Sequence, residues 1–396
     1  MYNFYVRNVS EALFVVKQSL EEYGVAVSTR GGDVLEFPGP VTTTYTHPRE
    51  RVLFYPQRDA NPFFHFMESL WMLAGRNDVQ FVNTFNGRMN QYSDDGITYH
   101  GAYGYRWRKW FGYDQFDRVI ERLLSFPNDR RTVLTMWDPI KDLVETNNGK
   151  DYPCNTQIFF SERKDLLNMT VVNRSNDLIW GAYGANAVHM SMLQEYFAGR
   201  LELGVGTYTQ FSNNLHAYVD ILERLKDMPP DYEPYLTLGE DGTSYNPMPI
   251  MDSFTTFDDE LNTFFKIWDD KETYDVLDEL KKVQFENSIF SEVAVPMLEC
   301  YFNYKRAKMA DFREIHTFYK DESKKETFEK EEWGLFLNRH QKEVHKEAWE
   351  GGRYHALESA KSIKDLAWRK ACVEWITRKL YDPVIPKKGR KSEKSK

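Results

Sequence analysis

The stretch from Asp151 to Tyr218 constrains this chain more than any other. Two runs rich in apolar and β-branched residues, NTQIFF and LLNMTVV, flank the polar turn SERKD, a pattern that predicts two paired strands. Cys154 then starts the first strand, while Arg174 and Ser175 end the second. After Gly181 and Gly184, residues Asn186 to Gly199 carry apolar side chains at 188, 192, 193, 196 and 197, a helical spacing closed by a glycine. The polar residues of the segment are therefore expected at one rim of a sheet, next to a buried helix.

Cys154 is the candidate nucleophile. A lone cysteine is more often an inert core residue, because reactivity requires access and a depressed pKa. Arg174 alters that balance. Brought back across the hairpin, its permanent charge favours the thiolate. The Arg174–Ser175 pair can equally hold a phosphate, the guanidinium giving bidentate bonds and the hydroxyl one more.

Upstream, Asn61 and Pro62 are a cap and a first position for a helix in which Phe63, Phe66, Met67, Leu70, Trp71 and Leu73 are apolar. Glu68 interrupts that surface. A carboxylate there is costly unless it is paired with a core arginine or functional, and burial raises its pKa toward a range useful for proton transfer. Nearer the amino terminus, Ser10 caps a helix through Tyr23 that Gly24 stops, and VAVSTRGGDVLEFPGPVTTTYT reads as strands and turns.

The order Pro-Cys, Arg-Ser-x-Asp, Gly, Asn and then Ser-Asn with His-x-Tyr resembles the thymidylate synthase superfamily, which includes the pyrimidine nucleotide hydroxymethylases. The helix around Glu68-Ser-Leu-Trp, the motif Tyr103-Gly-Tyr-Arg-Trp-Arg108 and the pair Arg130-Arg131 before a strand resemble that family too, so the likeness runs from about residue 25 to 225. It implies a three-layer α/β (α+β) fold with a mixed twisted sheet, extended at the C-terminus by helices. It also implies a homodimer formed through that sheet, a pyrimidine nucleotide monophosphate as substrate and 5,10-methylenetetrahydrofolate as cofactor.

By the same resemblance Cys154, Glu68, Tyr103 and Asp177 are catalytic. Arg30, Arg130, Arg131, Arg174, Ser175, Asn186, His216 and Tyr218 bind substrate, with Arg130 and Arg131 reaching a partner's phosphate. Addition of the Cys154 thiolate to C6 turns C5 of the pyrimidine into a nucleophile for the one-carbon unit. A carboxamide at Asn186 can donate to O4 and accept from N3–H, which suits uracil, whereas cytosine-using relatives commonly have Asp there. Four residues separate Gly181 from Asn186 where the synthases have three.

Other departures bear on the product. Asn155 replaces the histidine that usually follows Pro-Cys, and Thr209 or Gln210 stands where a sugar-binding histidine is expected, leaving that contact to His216 and Tyr218. FNGRMNQYSDDGITYHGA lacks the synthases' tryptophan, and their short apolar carboxyl end is absent. Those features shield the exocyclic methylene from water, so their loss tilts the expectation from methylation to hydroxymethylation of dUMP. The alternatives are thymidylate synthase proper, a dCMP hydroxymethylase, or a non-catalytic nucleotide- or RNA-binding module, which would need no thiol.

Composition agrees with an intracellular enzyme. Hydrophobic residues make up 41%, ample for a core, and a net charge of -9 argues against nucleic acid as a partner. Cysteines at 154, 300 and 372 form no disulfide or zinc pattern, which points to a reducing, cytoplasmic setting. No apolar run reaches the ~18 to 20 residues of a membrane span. The expected organisation is a catalytic domain over 1–230, a Pro/Gly-rich connector over 231–256, a helical accessory region over 257–385 and a basic disordered tail over 386–396. His340 and His345 read as solvated.

Overall fold

The computed structural model describes residues 1–396 except 30, 128, 145–148, 231–233, 237–243, 271–272, 320–353 and 382–396, and gives no side-chain detail at 273–274, 309–319 and 381. Arg30, His340, His345 and the basic tail lie outside the described residues.

The central hairpin forms as its sequence pattern requires. β6 (Asn155–Arg163) and β7 (Leu166–Asn173) are antiparallel, joined at Lys164 and Asp165, whose φ values of 53° and 60° are the positive pair a type I′ turn needs. Around them a six-stranded mixed sheet runs β1 (Tyr2–Val6), β4 (Val41–Tyr45), β9 (Gly204–Ser212), β7, β6, β5 (Val133–Thr135). A second sheet, in the order β2 (Val25–Thr29), β3 (Gly32–Glu36), β10 (Leu215–Tyr218), β8 (Asn176–Asp177), was not expected from the sequence. β7 passes into β8 and β9 into β10, so the two sheets meet at residues 173–176 and 212–215. Backbone bonds lock that junction: Asn213 N–H to Asn173 O at 2.9 Å, Asn176 N–H to Asn214 O at 2.8 Å and Arg174 N–H to Cys154 O at 2.9 Å. The crossing puts Cys154 and Arg174 on one rim.

Helices back the sheet. α1 (Val9–Tyr23) buries Leu13, Val16 and Leu20, but its cap is Asn8, whose side chain accepts from the amides of Ser10 and Glu11, rather than Ser10. Tyr23, at the end of the helix, is exposed. α2 (Pro62–Leu73) starts on Asn61, which accepts from Phe64 N–H. Next come α3 (Val79–Phe85), a short α4 (Tyr103–Tyr105) that widens into a π turn over Arg106–Trp110, and α5 (Gln115–Ser125). α6 (Asn186–Arg200) is buried from Ala187 to Ala198, and its buried polar side chains find partners, Glu195 with Arg51 and Gln194 with backbone carbonyls. Gly199 does not close α6, which runs on through Arg200. A Cβ at Gly199 would sit 2.8 Å from Met251 Sδ, so the glycine admits the connector against the helix.

The C-terminal helices pack on α2. Phe66 meets Trp368 at 5.3 Å between ring centres and Phe63 meets Trp375 at 5.7 Å, both from the helix Leu366–Tyr381, while Tyr301 of the helix Val295–Tyr319 lies 5.2 Å from Phe63. α2 also contacts α6, and one hydrophobic cluster runs through all of these elements. Each such fully buried aromatic contributes about 1.5–3 kcal/mol relative to exposure.

Candidate functional site

Cys154 sits half-buried immediately before β6, behind the buried Pro153. Arg174 returns to it across the hairpin and is anchored on backbone, Nε donating to Pro153 O at 3.0 Å and Nη2 to Tyr152 O at 3.1 Å, with Nη1 bonded to neither. Burial pushes the Cys154 thiol up, Arg174 pulls it down, and Asp151 and Asp177 add to the rise. Arg174 thus acts in the expected direction, favouring the thiolate, but burial opposes it. The net direction is upward, with burial the largest influence. Ser175 is half-buried beside Arg174.

Tyr103 faces the same space. Burial drives its phenol well above the ordinary value, with Cys154 and Asp151 adding to the shift, Arg174 opposing it and Glu68 raising it further. It stays a proton donor through the physiological range. Its position depends on Gly104, where a Cβ would lie 1.7 Å from the Met72 carbonyl oxygen of α2. Only glycine lets the two backbones approach so closely.

On α2, Glu68 is paired with a histidine, not with a core arginine. Its Oε2 lies 3.1 Å from His189 Nε2 of α6, the two side chains being 14% and 7% exposed, and neither atom is hydrogen-bonded elsewhere among the described residues. His189 follows Asn186 by three positions, so both lie on one face of α6. The signal in the sequence was one histidine in a largely apolar stretch, AVHMSML, and it carried no partner by spacing.

Asn186 begins α6 after a wide turn. Leu178–Ala185 forms a π turn broken by non-helical Tyr183 and Gly184, in the stretch where the spacing from Gly181 to Asn186 is four residues. Asn186 Nδ2 donates to Asn176 Oδ1 at 3.1 Å, and Asn176 Nδ2 reaches Gln210 Oε1 at 3.4 Å and Ser212 Oγ at 3.3 Å. Gln210 is thereby buried behind Asn186, and Thr209 bonds Thr44 at 2.9 Å.

Asp177 Oδ1 caps the π turn by accepting from Ile179 and Trp180 N–H at 2.8 and 2.5 Å, while Oδ2 is buried with no partner. Burial raises its carboxyl, against the Trp180 amide, His216, the Ile179 amide and Arg58. His216 is paired in register with Asp177, and its Nδ1 lies 2.7 Å from Asn214 Oδ1. Tyr218 extends along the same strand to the Gly31–Gly32 turn. Arg130 and Arg131 are exposed before β5, Arg131 bonding Asp129 at 3.2 Å.

Sequence reasoning missed His189, Asp151 and Tyr99 around this rim. Asp151 Oδ2 accepts from Gly101 N–H at 2.8 Å, and the Tyr99 hydroxyl is buried without a partner. No metal-binding cluster of His, Cys, Asp and Glu forms among the described residues. Two hollows elsewhere, of about 10 Å³ beside Arg51 and Tyr235 and about 290 Å³ beside Lys109 and Lys266, include none of these side chains.

A cysteine at a sheet rim, faced by a phenol and a carboxylate, defines a class of enzymes that work by nucleophilic addition, and within it the chain belongs to the thymidylate synthase family, whose model matches residues 58–258. It is 46% identical over 306 residues to the deoxyuridylate hydroxymethyltransferase of Pseudomonas phage M6, covering 76% of this chain and 84% of that one. It is 36% identical over 230 residues to the deoxyuridylate hydroxymethyltransferase of Bacillus phage SP01, covering 56% and 60% of the two chains. To the thymidylate synthase of Symbiobacterium thermophilum it is 31% identical over 174 residues, covering 40% and 60%.

Proposed function

We propose that this protein transfers a one-carbon unit from 5,10-methylenetetrahydrofolate to C5 of dUMP and releases 5-hydroxymethyl-dUMP. The observation that supports this reading is the placement of Cys154 at the start of β6 with Arg174 brought back beside it, Tyr103 being near enough to feel both Cys154 and Glu68. Similarity to phage deoxyuridylate hydroxymethyltransferases supports the choice of substrate and product.

Cys154 adds to C6 of the pyrimidine, so its proton must leave as the nucleotide binds. Tyr103 donates toward the ring, and Glu68 takes and returns protons within reach of it. Asn186 keeps one amide hydrogen and its carbonyl oxygen beyond the bond to Asn176, enough to donate to O4 and accept from N3–H. Arg174 and Ser175 hold the phosphate, with Arg30 as a further candidate by position, and His216 and Tyr218 approach the sugar. For the folate, the unpartnered Oδ2 of Asp177 fits an N–H of the pterin ring, with Trp180 exposed next to it. When bound, the folate supplies the one-carbon unit.

Residues 1–230 are the catalytic unit in this reading, 231–256 the connector, 257–385 the accessory region whose described helices pack on α2, and 386–396 a basic tail by composition. A homodimer forms through the outward face of the six-stranded sheet, where Tyr5, Phe159 and Val133 are exposed. Arg130 and Arg131 then reach the phosphate in the neighbouring copy's site. No described helix is long and apolar enough to cross a membrane.

The test is release of tritium from C5-labelled dUMP. Release that depends on methylenetetrahydrofolate and is abolished by Cys154→Ser, with dUMP binding kept within about tenfold, is expected, because serine is nearly isosteric but a far weaker nucleophile. Retained turnover in Cys154→Ser removes the thiol from the mechanism.

A further inference from the structure

Asp151 stands three residues before Cys154, partly buried and with no part in holding the nucleotide or the folate. Its Oδ2 accepts from the Gly101 amide at 2.8 Å. A Cβ on Gly101 would lie 2.9 Å from Asp151 Oδ1 and 3.1 Å from the Pro153 nitrogen, so the segment leading into Tyr103 is packed directly on the segment leading into Cys154. Neither Asp151 Oδ1 nor the Tyr103 hydroxyl has a hydrogen-bond partner among the described residues, and neither is sealed from solvent. Of the two carboxylates near Tyr103, Asp151 acts on it more strongly than Glu68, and Glu68 is already engaged with His189. Asp151 also opposes the Cys154 thiolate, a cost that calls for a use elsewhere in the reaction. Tyr103 makes a poor final base, because burial drives its phenol up and a proton it receives has to be passed on. Asp151 suits that task. Burial raises its carboxyl, against the Gly101 amide, His100 and Arg106, and Asp94 adds to the rise.

We propose that Asp151 is the proton acceptor behind Tyr103, receiving the hydrogen lost from C5 of the pyrimidine by way of the Tyr103 hydroxyl. This rests on the one-carbon transfer reading above. After C5 has bonded to the one-carbon unit it still carries its hydrogen, and the Cys154 thioether occupies C6. The C5–H bond breaks and its electrons move into the ring and onto O4 as an enolate. The proton passes to the Tyr103 oxygen as the phenol's own proton moves to Asp151 Oδ1. Tyr103 ends as it began, Asp151 becomes a carboxylic acid and the negative charge rests on O4. His100 gives the proton an outlet to solvent. Its Nε2 lies 2.9 Å from Asp142 Oδ1, a carboxylate that Arg106 also holds at 2.8 and 2.9 Å, and its side chain is 31% exposed near Asp151.

The experiment compares Asp151→Asn and Asp151→Glu with the wild-type protein, using methylenetetrahydrofolate and dUMP that carries hydrogen, deuterium or tritium at C5. The carboxamide of Asp151→Asn can still accept from Gly101 N–H, which keeps the loop in place. In Asp151→Asn, kcat for tritium release is expected to fall roughly 100-fold with KM for dUMP within about threefold, and the C5 deuterium isotope effect on kcat should rise above the wild-type value, because loss of the C5 hydrogen becomes the slow step. Asp151→Glu should recover much of the rate. Alkylation of Cys154 by iodoacetamide is the control, and should be at least as fast in Asp151→Asn as in the wild type, since the charge that opposes the thiolate is gone. Three results overturn the proposal: tritium release within about threefold of wild type in Asp151→Asn, a fall with no rise in the isotope effect, or alkylation lost in step with release. The last would show that Asp151 only shapes the loop around Cys154. No tritium release from the wild-type protein would instead sink the one-carbon transfer reading itself, before any variant is compared.

Discussion

At the scale of single residues, the decisive balance is at the Cys154 sulfur, where burial raises the thiol pKa more than Arg174 lowers it. The sign follows directly. A raised thiol pKa leaves little thiolate at neutral pH, so kcat/KM for tritium release should climb with pH toward the alkaline range. In Arg174→Gln the one lowering influence is gone, and the alkaline limb should move to still higher pH. A pH profile unmoved by that substitution would mean Arg174 serves only the phosphate. Asn186→Asp should shift preference from dUMP toward dCMP, since a protonated carboxyl can complement the N3 and N4 edge of cytosine. An unchanged ratio of the two kcat/KM values would remove Asn186 as the base reader. Glu68 stood out as a carboxylate in an otherwise apolar helical run, whereas Cys154 and Asn186 stood out by the order of motifs around them. His189 did not, because its partner lies on a helix more than a hundred positions away in sequence, and spacing along one chain carries no such contact.

At the scale of elements, the hairpin of β6 and β7 and the start of α2 were readable from periodicity and capping chemistry. Helix ends were less so. Asn8 and Ser10 are both good caps, and the choice fell to Asn8 because its carboxamide reaches two amides while its Nδ2 bonds Glu50 at 2.8 Å. Gly199 looked like a stop and instead makes room for Met251. α2 depends on packing from both sides, one face on α6 and the other on Trp368 and Trp375. Trp368→Ala should therefore destabilise the protein by about 3–5 kcal/mol, the usual range for emptying a buried aromatic site. Chemical denaturation would show a lower midpoint, and activity should fall because Glu68 sits on the same helix. A variant with an unchanged midpoint would show that the C-terminal helices do not hold α2.

At the scale of the whole molecule, the mixed sheet was foreseeable but its partner sheet was not. β8 has two residues and β10 four, too short for any periodic signal, and they exist only because β7 and β9 cross out of the main sheet together. That crossing builds the rim, and the C-terminal helices clamp α2 against it. The account's central claim is that this rim delivers water, not hydride, to the methylene carbon. Mass spectrometry of the nucleotide formed from dUMP and methylenetetrahydrofolate, with the folate product assayed in the same reaction, tests it most directly. The account predicts a nucleotide heavier than dUMP by CH2O, with tetrahydrofolate left behind. A nucleotide heavier by CH2 alone, formed with stoichiometric dihydrofolate, would contradict it.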